Sequence, residues 1–217
     1  MLIAGRIPLQ SVMRQLSEER QVFHSEGDLQ HAFGRAIWKL DPRVKVRMEM
    51  RQQGVGEARE VLDMLCFTHA GSTAVEFKFY PTAGQGKDLR GEEFNLRGQG
   101  ADDLLRHGFV HDISRLERFC QASPAGNGLA LLISNARALW SESARTGQAS
   151  QDQEFRLHEG TTLNDIRAWA GRIDHDKTRT LQGNYDLRWD DYAPPVEGLG
   201  QFRYLAVEVE PNRLPAG

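Results

Sequence analysis

The sequence is short of several things, and each shortage narrows its reading. Two of its 217 residues are cysteine, Cys66 and Cys120. Cys66 falls in an apolar stretch and Cys120 near the end of a helical pattern. Both are expected as reduced core thiols rather than a disulfide framework. No set of Cys and His has zinc spacing. No run approaches the roughly 20 apolar residues that a spanning helix needs. The opening "MLIAGRIPLQ" lacks the charged-then-apolar layout of a secretory signal, so a cytoplasmic protein without a membrane partner is expected. There is no GxGxxG, no P-loop and no serine nucleophile elbow, which leaves nucleotide cofactors and acyl transfer without support. Lysine is scarce: Lys39, Lys45, Lys78, Lys87 and Lys177 are the five lysines among 27 basic residues, and the rest are arginine. Arginine suits bidentate phosphate contacts, though GC-rich coding gives the same bias. The net charge of -3 does not by itself advertise a polyanion partner.

What is present reads as one α/β domain over residues 1–217, without internal repeats or a clear linker. Residues 8–22 carry Leu9, Val12, Met13 and Leu16 on one helical face. A second helix is expected over about 25–40, capped by Ser25 with Asp28 three residues on, and striped by Leu29, Phe33, Ile37 and Leu40. Residues 44–52 alternate as a half-buried strand. A hairpin over 60–80 follows, then a Gly-rich charged segment (84–100). A long helix is expected near 102–120, with Leu105, Phe109, Leu116 and Cys120 as its buried side. "GLALLIS" reads as a central strand covered on both faces. Beyond it lie a polar, Ser/Gln-rich segment (141–156) expected to be a mobile loop, a short helix near 162–170, and short strands ("TRTLQG", "YDLRWDDY", "RYLAVEVE") that complete the sheet. The fold expected is a mixed central sheet flanked by helices.

The hairpin "VLDMLCFTHAGSTAVEFKF" raises the functional question. Asp63, Glu76 and Lys78 interrupt strands that are otherwise apolar. Side chains alternate along a strand, so Glu76 and Lys78 share a face. A turn centred on Ala70-Gly71 would set Asp63 directly across from Lys78, with Glu76 as its diagonal neighbour. Buried charges are costly unless they are paired or hold an ion. Two carboxylates at this spacing are the hard oxygen donors that Mg²⁺ takes, together with water and substrate phosphate. A metal there lowers the pKa of bound water and neutralises phosphodiester charge, and Lys78 adds a point charge beside the phosphate that helps to orient or deprotonate the water. Glu26, at the core-facing start of the second helix, could complete the set. The plainer reading is a first-turn acid at Glu26 and a solvated Asp-Lys pair on an exposed sheet face.

The set of Glu26, Asp63 in "VLDM" and Glu76 with Lys78 in "VEFKF" resembles the PD-(D/E)XK nuclease superfamily, which has a restriction-endonuclease-like core. The order helix, three-strand meander, helix, strand matches over about 25–135, with 136–217 as a C-terminal extension. Leu62 stands where the name-giving motif has proline. The resemblance implies Mg²⁺-dependent cleavage of phosphodiester bonds, with Mn²⁺ able to substitute, in DNA more often than RNA. Asp63, Glu76 and the Phe77 carbonyl would then hold metal, with Glu26 on a second metal or its water shell. Restriction, phage defence and repair are the contexts such enzymes serve. With no recognition domain visible, a homodimer or a partner protein would supply specificity. The rival is a non-catalytic nucleic-acid or protein interaction module on the same fold.

Other residues carry weaker signals. Gln30 faces the same way as Glu26. Lys87 and Arg90 in the Gly-rich segment could clamp a phosphate backbone, although solvated loop charges are the plainer reading. Asp112 and Arg115 could line a phosphate groove or form an intrahelical pair. His107 and His111 have helical metal spacing but no third ligand. Trp140, Trp169, Trp189 and Tyr192 could stack on bases, although aromatics at such positions are more often core.

Overall fold

The computed structural model describes residues 1–51, 60–122, 126–142, 150–170 and 177–211. In chain order its elements are β1 (Leu2–Ile3), β2 (Ile7–Pro8), α1 (Leu9–Glu19), α2 (Glu26–Leu40), β3 (Lys45–Arg51), β4 (Val61–Thr68), β5 (Gly71–Tyr80), β6 (Gly84–Lys87), β7 (Glu93–Leu96), α3 (Asp102–Ala122), β8 (Gly126–Ser134), α4 (Arg137–Trp140), β9 (Thr162–Arg167), β10 (Arg179–Asp186), β11 (Trp189–Asp191) and β12 (Arg203–Val209). Six strands form the central sheet in the order β11-β12-β8-β5-β4-β3. β5 and β8 are parallel, connected through α3, and their other sheet neighbours are antiparallel. The expected order of helix, meander, helix and strand is therefore present as α2, β3 to β5, α3 and β8. A small hairpin, β6 with β7, is inserted before α3.

The helices follow from their patterns. Ser25 caps α2 by accepting a hydrogen bond from the Asp28 amide at 3.1 Å, and Asp28 in turn accepts one from the His24 amide. α2 and α1 cover one face of the sheet; Phe33, Val75, Phe77, Leu129 and Leu131 lie in that core. α3 covers the other face with Phe109, Ile113 and Leu116 against Ala130, Leu132 and Leu205. The alternation along β8 is thus shared between two apolar layers, as the continuous apolar run of a doubly covered strand requires. Cys66 and Cys120 are buried and unbonded, one in each layer. Burial pushes both thiols up to about 12, which keeps them protonated. No helix among the described residues is long and apolar enough to cross a membrane.

Four expectations need correction. The segment near 162–170 is not a helix: residues 162–167 form β9, which pairs antiparallel with β10. Leu163 is its one fully buried anchor, and a strand can lean on the β10 ribbon without a helical stripe. The C-terminal strands do not all join the main sheet, since β10 belongs to the separate two-stranded β9-β10 ribbon and only β11 and β12 extend the six. Of the polar loop expected over 141–156, residues 143–149 lie outside the described residues. Its last part is packed rather than loose, because Phe155 is buried and Asp152 takes a 2.6 Å bond from buried Arg106. Finally, the hairpin turn is His69-Ala70, with Thr68 paired to Gly71. The Thr68 hydroxyl fixes it, accepting from the Ala70 amide and donating to the Ala4 carbonyl.

Candidate functional site

That turn shifts the register of the whole hairpin. Met64 pairs with Val75 and Leu65 with Ala74, so Asp63 stands across from Glu76 and not from Lys78. Extended by one residue, this register sets the two carboxyls opposite each other, which a turn one residue later would have prevented. The ladder between β4 and β5 ends there. From Leu62 back to Val61, β4 pairs with Met50 and Arg51 of β3 only, while β5 continues beside β8.

The parting of the strands leaves the outward amides of β5 without ladder partners, and buried amides must find acceptors. The acids supply them. Phe77 donates its amide to Asp63 Oδ2 at 2.8 Å, and Phe79 donates to Glu26 Oε2 at 3.1 Å. Glu26 thus reaches the sheet from the first turn of α2. Glu26, Asp63 and Glu76 all face the mouth of one fork.

α3 closes the fork from the other side with two residues. Lys78 Nζ lies 2.8 Å from Asp112 Oδ2 and donates to the Phe77 carbonyl at 3.2 Å. Arg115 lies 3.1 Å from Glu76 Oε1 and 3.6 Å from Asp112 Oδ1, and also bonds the Val61 carbonyl. Asp112 sits on the buried stripe of α3 between Phe109 and Leu116, where an apolar residue would be expected. An acid on an apolar helical stripe was the signal that marks it as more than a surface ion pair. Arg115, expected to touch substrate, serves here as counter-ion to two carboxylates.

Four carboxyl groups and two cations therefore lie together around the fork, Glu76 and Asp112 buried, Glu26, Asp63 and Lys78 half-buried. Glu76 is 2% exposed, and its Oε1 has no hydrogen-bond partner despite the nearby guanidinium. Burial, with Asp112 and Asp63 beside it, pushes the Glu76 carboxyl up to about 9. Arg115 opposes this weakly because Asp112 shares its charge. Burial raises Glu26 as well, against the pull of Lys78. Burial alone would lower Lys78, but contact with Asp112 more than offsets it, so Lys78 stays cationic. A lysine held this way is a fixed point charge and not a proton acceptor at neutral pH.

The other residues singled out in the sequence lie elsewhere or apart. Gln30 is half-buried one turn beyond Glu26, and its side chain makes no hydrogen bond among the described residues. Lys87 is exposed on β6, its amide bonded to the Glu197 carbonyl. Arg90 turns its guanidinium to the Glu18 carbonyl at 2.7 Å. Neither joins the carboxylates. His107 Nε2 bonds the Lys177 carbonyl, and His111 Nδ1 faces Arg179 Nε at 2.9 Å. Trp169, Trp189 and Tyr192 are core residues, and Trp140 packs against the Trp189 ring.

Among the described residues no three Asp, Glu, His or Cys side chains gather as a ready metal-ligand group. The site nevertheless suits a hard divalent cation on two counts. It sets four carboxyl groups against two cations, and it holds an orphaned buried oxygen on Glu76, whose proton a cation would displace. Mg²⁺ needs only one or two carboxylates, with water completing its shell. Comparison with known proteins adds no relative: no family model matches the sequence, no curated protein matches it, and no solved structure matches it.

Proposed function

We propose that the chain is a divalent-metal-dependent nuclease that hydrolyses phosphodiester bonds, most readily of DNA, at the fork between β4 and β5. The observation that carries this reading is the gathering of Glu26, Asp63, Glu76 and Lys78 on one partly buried place where carboxyl groups outnumber cations. The PD-(D/E)XK resemblance and the order α2, β3 to β5, α3, β8 support it further.

In this reading Asp63 and Glu76 hold Mg²⁺ or Mn²⁺, and Glu26 serves a second ion or the water shell. The ion, when bound, supplies a lowered water pKa and charge neutralisation at the phosphate. The protein's own groups do the rest. Asp63 and Glu26, each fixed by a β5 amide, hold their carboxylates in place. Lys78, held cationic by Asp112, offers positive charge to the scissile phosphate and its attacking water. Arg115 lies against the Glu76 and Asp112 carboxyls, and it would be available to the phosphate if a cation were held by Glu76. The Phe77 carbonyl is bonded to Lys78, so it becomes a ligand only when Lys78 turns to substrate.

A second reading has its own support: Lys78 and Arg115 already neutralise part of the cluster, as they would on a non-catalytic interaction module. Calorimetric titration with Mn²⁺ and Mg²⁺, followed by incubation with DNA and RNA, separates the two. The nuclease reading expects metal binding and cleavage in the wild type, and neither in Asp63→Asn with Glu76→Gln. A folded wild type that takes up no metal, even with nucleic acid present, refutes it.

A further inference from the structure

The face of the sheet that α3 covers is open at one edge. α3 lies over β8 and β5, and it touches β4 where Arg115 bonds the Val61 carbonyl. Farther along, the side chains on the same side of β3 and β4 are exposed or half-buried among the described residues. Lys45 pairs with Phe67 and Arg47 with Leu65, and residues opposite each other share a face. Lys45 and Arg47 are exposed, and Leu65 and Phe67 half-buried. Asp63 lies four residues before Phe67 on the same strand, about 13 Å away at strand rise.

The far end of this row is a cleft of about 510 Å³ lined by Arg6, Arg43, Lys45, Phe67, Thr68 and His69. No acid lines it. Asp41, buried beneath, accepts from Arg6 Nε at 2.6 Å and from Arg43 Nε at 2.8 Å, so one carboxylate orients two guanidiniums. The terminal nitrogens of Arg6 make no hydrogen bond among the described residues, and Lys45 has no ion pair there. Arg47 lies over the Phe67 ring at 5.8 Å. Glu49, between the Met48-Met64 and Met50-Leu62 pairs, is where β3 comes level with Asp63.

We propose that this β3-β4 face, from the Arg6-Arg43 cleft to Asp63, is the track on which a single nucleic-acid strand lies as it enters the carboxylate fork. The proposal rests on the nuclease reading for its direction but not for its binding chemistry. Lys45 and Arg47 are two residues apart, about 7 Å along the strand, so they can meet successive phosphates of an extended strand. Phe67, carrying Arg47, offers a base a ring to stack on. An acidic peptide would use the charges but has no use for the ring.

The test is fluorescence anisotropy in EDTA, so that nothing is cut. The probe is a fluorescein-labelled single-stranded DNA about fifteen nucleotides long. Wild type is compared with Lys45→Ala/Arg47→Ala, which alters exposed side chains only. The expected result is a loss of affinity on the order of tenfold. The slope of log K against log salt should shrink by about 1.4, for two lost phosphate contacts on a single strand. Phe67→Leu should weaken binding without changing the salt slope. Unchanged binding in the double variant overturns the proposal, even if the wild type cuts DNA once Mn²⁺ is added. Equal competition by polyglutamate overturns the nucleic-acid assignment. Binding that depends on Lys45 and Arg47, with no cleavage under any metal, upholds the track and sinks the nuclease.

Discussion

Replacing Glu76 with Gln removes a charge without changing shape, and the fork predicts a stabler metal-free protein. The sign follows from linkage. Burial and two neighbouring carboxylates hold the folded Glu76 proton to about pH 9, against an ordinary carboxyl value of 4.5. Folding therefore takes up a proton between those limits, and the free energy of unfolding falls as pH rises from 4.5 to 9. Below 4.5 the carboxyl is neutral in both states and costs nothing. Each pH unit inside the window is worth about 1.4 kcal/mol, so at pH 7 the wild type carries a penalty of about 3 kcal/mol. Glu76→Gln escapes it. For a chain of this size such a gain raises Tm by roughly 6–12 °C. Calorimetric scans at pH 4.5, 7 and 8 in EDTA measure it directly. Mn²⁺ at pH 8 should recover most of the difference in the wild type and little in the variant, since the ion replaces the proton. Parallel pH curves for the two proteins would refute the argument. A variant less stable than wild type at pH 7 would do so too, by showing that the 3.1 Å approach of Arg115 outweighs burial.

Three further outcomes are expected. Lys78→Met should slow cleavage by on the order of 10²- to 10³-fold while metal affinity, read by calorimetry, is kept; a pH-rate profile whose alkaline limb vanishes in this variant would show that Lys78 titrates in turnover after all. Glu117 on α3 is buried, and its Oε1 accepts from the amides of Gln182 and Gly183 and from the Tyr185 hydroxyl, at 2.8 to 2.9 Å. Glu117→Gln weakens three charge-assisted bonds at the β10 bulge and should cost about 2 kcal/mol in urea denaturation, with a change under 0.5 kcal/mol counting against the role. Burial and the facing Arg179 pull His111 down to about 4 from 6.5, so stability should be lost as pH falls through that window; His111→Asn should flatten the acid limb of the Tm profile, and an unaltered limb would place its origin elsewhere.

Much of this was legible because the strong signals are periodic. The α2 stripe, the apolar run of β8 and the interrupted hairpin each read out element type, and the mixed sheet flanked by helices is as expected. The misreadings share a cause. Residues 162–170 carry a weak pattern, and which strand they pair with is decided by a ribbon that forms only after β10 is placed. The loop around Asp152 looked loose because its anchors, Arg106 and the Phe155 pocket, are distant in sequence. The turn was misplaced by one residue because the Thr68 hydroxyl, tied to the N-terminal hairpin at Ala4, outcompetes the glycine as the local cue.

That one-residue difference bears directly on the chemistry. With the turn at Ala70-Gly71, Asp63 would have met Lys78 across the ladder, and the pair could have been an ordinary cross-strand ion pair on a solvated face. With the turn at His69-Ala70, acid faces acid, and the lysine is left to find Asp112 on α3. Like charges opposed on a hairpin are unfavourable by themselves. They persist here because the strands part at that point and the freed amides of Phe77 and Phe79 need acceptors. Backbone satisfaction accounts for Asp63 and Glu26 but not for Glu76, whose buried oxygen no amide takes up. Glu76 is therefore the residue on which a purely structural account of the fork fails, and the one whose replacement tests the metal most sharply.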